Sequence, residues 1–317
     1  SALGRPSVCA TADMRSLILI AMVGIGPQQA LAHTGTSAHH WWTLDPWVWI
    51  PMVVFGVLYM RGILLLRTKR RPGERPIRAI RPQALAGFVG GMSASFLALI
   101  WPLDALGDMS FAAHMAQHMM LISVAAPLFA LSRPTLPLLL AMPVSWRKMN
   151  AALAGLHKAM HVLLRPPIAF AIHGAVIWLW HTPLLFTLAL RWQWVHVLEH
   201  IMFLGSALLF WNSLQRSART GGEGYGAAAL WTLATLIHTG LLGALITFSP
   251  RLLYPIYLNV NAGGGPWSAL EDQQLAGLLM WIPAGLCYLT AGLAYAAAWL
   301  HSAERGDRQT NGTRHSG

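Results

Sequence analysis

The chain has 317 residues, 55% of them hydrophobic and 10% charged, with fifteen tryptophans and a mean hydropathy of +0.49. So little charge in so long a chain excludes an ordinary soluble domain and marks a polytopic membrane protein. A net charge of +11 would suggest nucleic acid in a soluble protein, but no RNA- or DNA-binding motif accompanies it, and basic loops beside membrane spans serve to orient a protein in the bilayer.

From the N-terminus, residues 14–32, "MRSLILIAMVGIGPQQALA", read as a signal peptide: Arg15, a short apolar run, then Ala30-Leu31-Ala32. Residues 1–13 lie ahead of Met14 and read as an upstream extension. Cleavage after Ala32 would leave "HTGTSAHHWW", a His-rich segment over 33–45 on the outer side of the membrane. There His33 would pair a free α-amino group with its imidazole, a chelate suited to copper(II), with His39 and His40 nearby as additional ligands. The other reading of this segment is a polar lead with no ligand.

A hydrocarbon core about 30 Å thick needs about 20 apolar residues per helix. Seven segments meet this requirement, at 46–66, 84–103, 111–131, 167–187, 196–215, 226–248 and 274–300. The expected fold is therefore all-α, with seven transmembrane helices over 46–300. The loops sort by charge. Those at 67–81, 132–166 and 216–225 and the tail hold seventeen Lys or Arg, whereas the loops of the other side hold only Arg191 and Arg251. This asymmetry predicts the N-terminus outside and the C-terminus in the cytosol. A surface helix is expected over 141–161, with Trp146 at the interface, and a disordered tail from His301.

Orientation turns positions into depths. The third span carries His114 and His118 in its outer half, and the fourth has His181 near its outer end with His173 deeper. The fifth opens on "HVLEH", with His196, Glu199 and His200 on adjoining turns, and the sixth has His238 around mid-span. The seventh begins with Glu271, Asp272 and Gln273. Ionisable groups in hydrocarbon are costly and should face the bundle interior. A lone histidine there is often an interhelical hydrogen-bond partner, which is the reading for His173.

The set as a whole points further. Two i,i+4 histidine pairs, on two helices, repeat the spacing that brings two ring nitrogens to one ion. With only Cys9 and Cys287 in the chain, no CxxC site can be built, so any metal must rest on His, Met, Asp or Glu. Imidazole suits copper and zinc, and thioether favours copper(I). Met115 and Met119 share the layer, although Met also fills irregular gaps in cores. Glu199, Asp272 and Gln273 are candidates for orienting the imidazoles from behind, and the two acids could equally cap helix N-termini. "HVLEH" also matches the H-x-x-E-H pattern of zinc peptidases, but hydrolysis would need a third ligand, an open zinc position and room for a peptide, and nothing else in the chain marks a substrate cleft.

Four stretches together carry a family resemblance: "HMAQHMMLISVAAPLFALSRP" (114–134), "HVLEHIMFLGSALLFW" (196–211), "SPRLLYPIY" (249–257) and "EDQQLAGLLMWIPAG" (271–285). In this order the chain resembles the multi-span CtaG-like cytochrome c oxidase assembly factors of bacteria. The resemblance implies a seven-span inner-membrane protein that matures haem–copper oxidases, and it marks His114, His118, His196, His200, Asp272, Gln273 and, in "WHTP", His181. The expected function is thus a non-enzymatic metallochaperone. It would take copper from a periplasmic donor, hold it on the histidine pairs facing the periplasm, and deliver it to an oxidase subunit. The alternatives are a haem-binding protein acting in the same maturation, with histidines as axial ligands, a copper transporter, and a bare scaffold.

Overall fold

The computed structural model describes residues 42–43, 45–68, 77–145, 154–258 and 267–314. The signal-peptide reading and His33, His39, His40 and Trp146 lie outside the described residues. The described residues form helices with no strand. These are α1 (Pro46–Thr68), α2 (Pro82–Leu99), α3 (Leu103–Gly107), α4 (Phe111–Met119), α5 (Ala126–Ser132), α6 (Thr135–Ala141), α7 (Ala154–Leu163), α8 (Pro166–Trp180), α9 (Pro183–Arg191), α10 (Gln193–Ala218), α11 (Gly222–Thr247) and α12 (Ala269–Arg314). Short 3-10 turns occupy Arg78–Ile80 and Pro255–Tyr257.

Among the described residues, six helical segments are long and apolar enough to cross a membrane, and a seventh arises if the bent pair α7–α8 counts as one span. The expected fourth span, 167–187, is the one that changes. Its helix stops at Trp180 because Thr182 precedes Pro183 and is held extended (ψ 138°), as the ring of a following proline requires. At 1.5 Å per residue, the 15 residues of α8 cover only about 22 Å. The helix is joined to α7 through a 78° bend, and residues 183–191 fold as the separate helix α9. Of the expected surface helix, residues 146–153 lie outside the described residues; α6 lies ahead of it and Ala154–Leu163 is helical (α7). At the C-terminus α12 runs on to Arg314, where a disordered tail was expected from His301.

The segment Phe111–Ser132 is the hub of the bundle: 61% of its most apolar window is buried, against 17% for Pro46–Thr68 at the periphery. It is not one regular helix. Between α4 and α5 the chain widens into a π turn over Met120–Ala125. One apolar core joins α4 to α8–α12 through Phe111, Ile177, Phe186, Phe203, Leu242 and Tyr288. A smaller one joins α1, α2 and α5, where the Tyr59 and Phe88 rings stack 3.6 Å apart and Phe129 meets Phe88 edge-on. Helices α11 and α12 cross closely because the crossing residues are small. A Cβ on Gly243 would sit 2.9 Å from the Gly277 carbonyl oxygen, and one on Gly277 would sit 2.7 Å from that of Gly243.

Candidate metal centre

Helix α4 starts where Ser110, in extended conformation, accepts the Ala113 N–H on its hydroxyl at 3.3 Å. The cap is completed from across the bundle. The Asp272 carboxylate, in the first turn of α12, accepts the backbone N–H groups of Phe111 (2.7 Å) and Ala112 (3.2 Å) and the Ser110 hydroxyl (2.7 Å). These are donors that a helix start leaves unsatisfied, and a carboxylate there also meets the positive end of the helix dipole. The first turns of α4 then place His114, Gln117 and His118 toward the interior, all buried. Gln117 donates to Asp104 of α3 at 2.8 Å, and Thr43 donates to the other oxygen of the same carboxylate.

Helix α10 begins at Gln193, after Trp192 breaks from α9 in extended conformation. Its first turns carry His196, Glu199 and His200. The two helices set their histidines as a two-rung ladder. The His114 and His196 rings stack at 5.2 Å between centroids, and His118 meets His200 edge-on at 5.2 Å. Along the helices the rings are 4.4 Å apart from His114 to His118 and 4.3 Å from His196 to His200. Glu199 leans into the lower rung, with an oxygen 3.8 Å from His118 Nε2, and both side chains have no exposed surface. Ligand atoms of His114, His118, His196 and Glu199 all lie within 4.8 Å of one another.

These donors lack hydrogen-bond partners among the described residues. Nε2 of His114, His196 and His200, both ring nitrogens of His118 and both oxygens of Glu199 are buried and unpartnered. Buried polar atoms in native proteins are almost always paired, so a concentration of orphans asks for a cause such as an ion. Three neutral imidazoles and a carboxylate form a donor set that copper or zinc accepts. The carboxylate also offsets cationic charge that would be expensive in so dry a place.

His181 stands at the C-terminal end of α8, its ring 5.8 Å from that of Phe203, which in turn packs at 4.7 Å on His118. Its Nδ1 lies 2.7 Å from the Ile177 carbonyl oxygen. A carbonyl only accepts, so Nδ1 carries the proton and Nε2 presents a bare lone pair, the tautomer that a metal ligand needs. That Nε2 is also buried without a partner.

Other expected residues fall elsewhere. Asp272 bonds the start of α4 and no imidazole. Gln273 accepts the Leu253 N–H at 2.6 Å and donates to the Arg251 carbonyl at 3.1 Å, which fixes the 249–257 loop. Both acid and amide therefore position the scaffold instead of backing the imidazoles, whereas Glu199 moves from a supporting role into the donor set itself. His238 takes the Trp178 indole N–H at 3.3 Å and packs on Phe170, on the α8–α11 side and outside the four-donor group. Met115 belongs to the main apolar core and Met119 packs against it, as fillers do. His173 is held by Ser206 (3.1 Å) and Tyr288 (3.2 Å), the interhelical role expected for it.

Several supports were not foreseen. From the 249–257 loop, the Tyr254 hydroxyl donates to the His181 carbonyl at 2.7 Å, and that of Tyr257 to the Gly107 carbonyl at 3.1 Å. The π turn that starts two residues after His118 carries the Ile122 carbonyl, which accepts the Trp211 indole N–H at 3.1 Å. The motifs around these residues were visible in the sequence, but their partners lie 73–150 positions away, beyond any local pattern.

No curated protein and no solved structure matches the chain. The family model for the cytochrome c oxidase caa3 assembly factor (Caa3_CtaG) matches residues 57–302, a stretch that contains α2 to α11 entire, the whole histidine ladder and most of α12. The chain is thus a member of the Caa3_CtaG family of cytochrome c oxidase assembly factors.

Proposed function

We propose that this assembly factor is a copper carrier that holds its ion on the ladder between α4 and α10 and delivers it to a haem–copper oxidase, with no catalytic step of its own. The observation that carries the reading is the convergence of His114, His118, His196 and Glu199, with ligand atoms within 4.8 Å of one another, all buried except the half-buried His196. Imidazole and carboxylate ligands exchange more readily than the thiolates of a closed cage, which suits a donor that must release its cargo. The charge asymmetry of the loops favours an inner-membrane orientation with the ladder toward the periplasm, the side from which a periplasmic donor would load it.

A haem reading draws less from the geometry. Stacked rings at 5.2 Å leave no gap between His114 and His196 for a macrocycle with both as axial ligands.

The test is elemental analysis for copper and zinc on protein purified in mild detergent. Wild type is compared with His114→Ala/His118→Ala and His196→Ala/His200→Ala. About one copper per chain is expected in the wild type and none in either double variant, since losing ligands abolishes a site. Equal copper in all three would overturn the site, and zinc in place of copper would overturn the cargo. Oxidase activity in cells carrying these variants at normal abundance tests delivery: unimpaired oxidase would overturn the assembly role of the ladder.

A further inference from the structure

The ladder contains more donors than one ion uses. A four-coordinate ion is satisfied by His114, His118, His196 and Glu199. His200 and His181 stand outside that group, yet each keeps a buried Nε2 without a partner. Two further orphan nitrogens carry a free-energy cost that the first four donors do not explain. His181 is already fixed in the ligand tautomer by its Nδ1–H bond to Ile177.

His118 connects the two sets. Among the described residues it is the one histidine with both ring nitrogens buried and unpartnered. It touches His114 on one side and His200 on the other, at 4.4 and 5.2 Å between ring centroids. Below it the space is closed by Phe203, whose buried ring packs against His118 at 4.7 Å and His181 at 5.8 Å. The donors therefore grade from His114 and His196, nearest the helix starts, to His200 and His181, above an aromatic floor.

Resting on the copper reading above, we propose that the cluster holds its ion in two overlapping positions. The outer position uses His114, His118, His196 and Glu199; the inner one uses His118, His200 and His181. Movement between them is ligand exchange alone. The bonds from His114, His196 and Glu199 break as those from His200 and His181 form, His118 stays bound throughout, and no electron or proton is transferred. One ion shuttles, because two cations a few ångströms apart, with Glu199 the lone carboxylate among the six donors, would repel strongly in so apolar a setting. The arrangement gives a holding position and a release position within one buried cluster.

Full-length protein in mild detergent is titrated with copper(II) sulfate up to one equivalent and followed by electron paramagnetic resonance. Two superimposed copper(II) spectra are expected in the wild type. His181→Asn/His200→Gln should remove the inner spectrum, and His114→Asn/His196→Gln the outer one. A single spectrum in the wild type at every ratio overturns the two-position proposal, and this measurement needs no variant. Failure of the wild type to take up copper overturns instead the metal-carrier reading on which the proposal rests.

Discussion

The Asp272 carboxylate accepts the Phe111 backbone N–H at 2.7 Å, so the last helix of the bundle holds the start of the helix that carries His114 and His118. One acid thereby satisfies three donors of a helix start. Asp272→Ala removes all three bonds from a buried site. The expected loss is about 2–4 kcal/mol, since a bond to a buried charged group contributes about 1.5–3 kcal/mol and a cap about 1 kcal/mol, with overlap. Asp272→Asn keeps an acceptor oxygen and should lose about half as much. Thermal unfolding in detergent measures both. Copper retention should fall in step with stability, because Asp272 acts on the histidines only through the position of α4.

Glu199 should behave in the opposite way. Its carboxyl oxygens have no hydrogen-bond partner and no exposed surface, and a buried carboxyl in that state stabilises nothing. Glu199→Gln should leave the unfolding temperature of the metal-free protein unchanged or slightly higher, while copper affinity drops about 10- to 100-fold, at least the range seen when groups that merely orient ligands are lost. Competition with a chelator of known affinity gives the second number. A variant that is destabilised yet binds copper normally would make Glu199 a structural residue.

The contrast between these two acids explains what could be read in advance. Hydropathy located the helices because each needs a long apolar run, and i,i+4 spacing located the histidine pairs because a helix turn places such residues together. Helix α8 ended early through a local cause, Pro183 after Thr182, and that signal was present in "WHTP". Capping was one reading of Asp272, but which helix it caps, and the place of Glu199 among the donors, had no local signal. Each depends on which helix packs opposite, and Asp272 finds its partners 160–162 residues away. The π turn at Met120–Ala125 was equally hidden, since its sequence is as apolar as that of any regular helix.

His173 supplies a control within the same bundle. It is fully buried like His118, but Ser206 and Tyr288 satisfy its two nitrogens. His173→Leu should cost about 1–3 kcal/mol by removing both bonds, although Ser206 keeps its bond to the Phe203 carbonyl, with copper content unchanged. Copper loss in this variant at intact stability would show that the metal-binding region extends down to Tyr288, well below the Phe203 floor.

Trp211 tests whether the π turn positions His118. The turn begins at Met120, two residues after His118, and its Ile122 carbonyl, directed to Trp211 at 3.1 Å, ties α4 to α10 below the ladder. π turns inside α-helices occur often at functional sites because they rotate the residues around them relative to a regular helix. Trp211→Phe keeps an aromatic ring against Tyr288, which now stacks on it at 5.4 Å, but removes the N–H. The orphaned carbonyl should cost about 1–3 kcal/mol, a penalty the chain can relieve by tightening the turn into a regular helix. That change would rotate α4 relative to α5 and take His118 out of register with His200. The expected result is a shifted copper resonance spectrum with copper content near one per chain at saturating metal. An unshifted spectrum at lowered thermal stability would make the Trp211 bond a structural tie and leave the ladder geometry independent of the π turn.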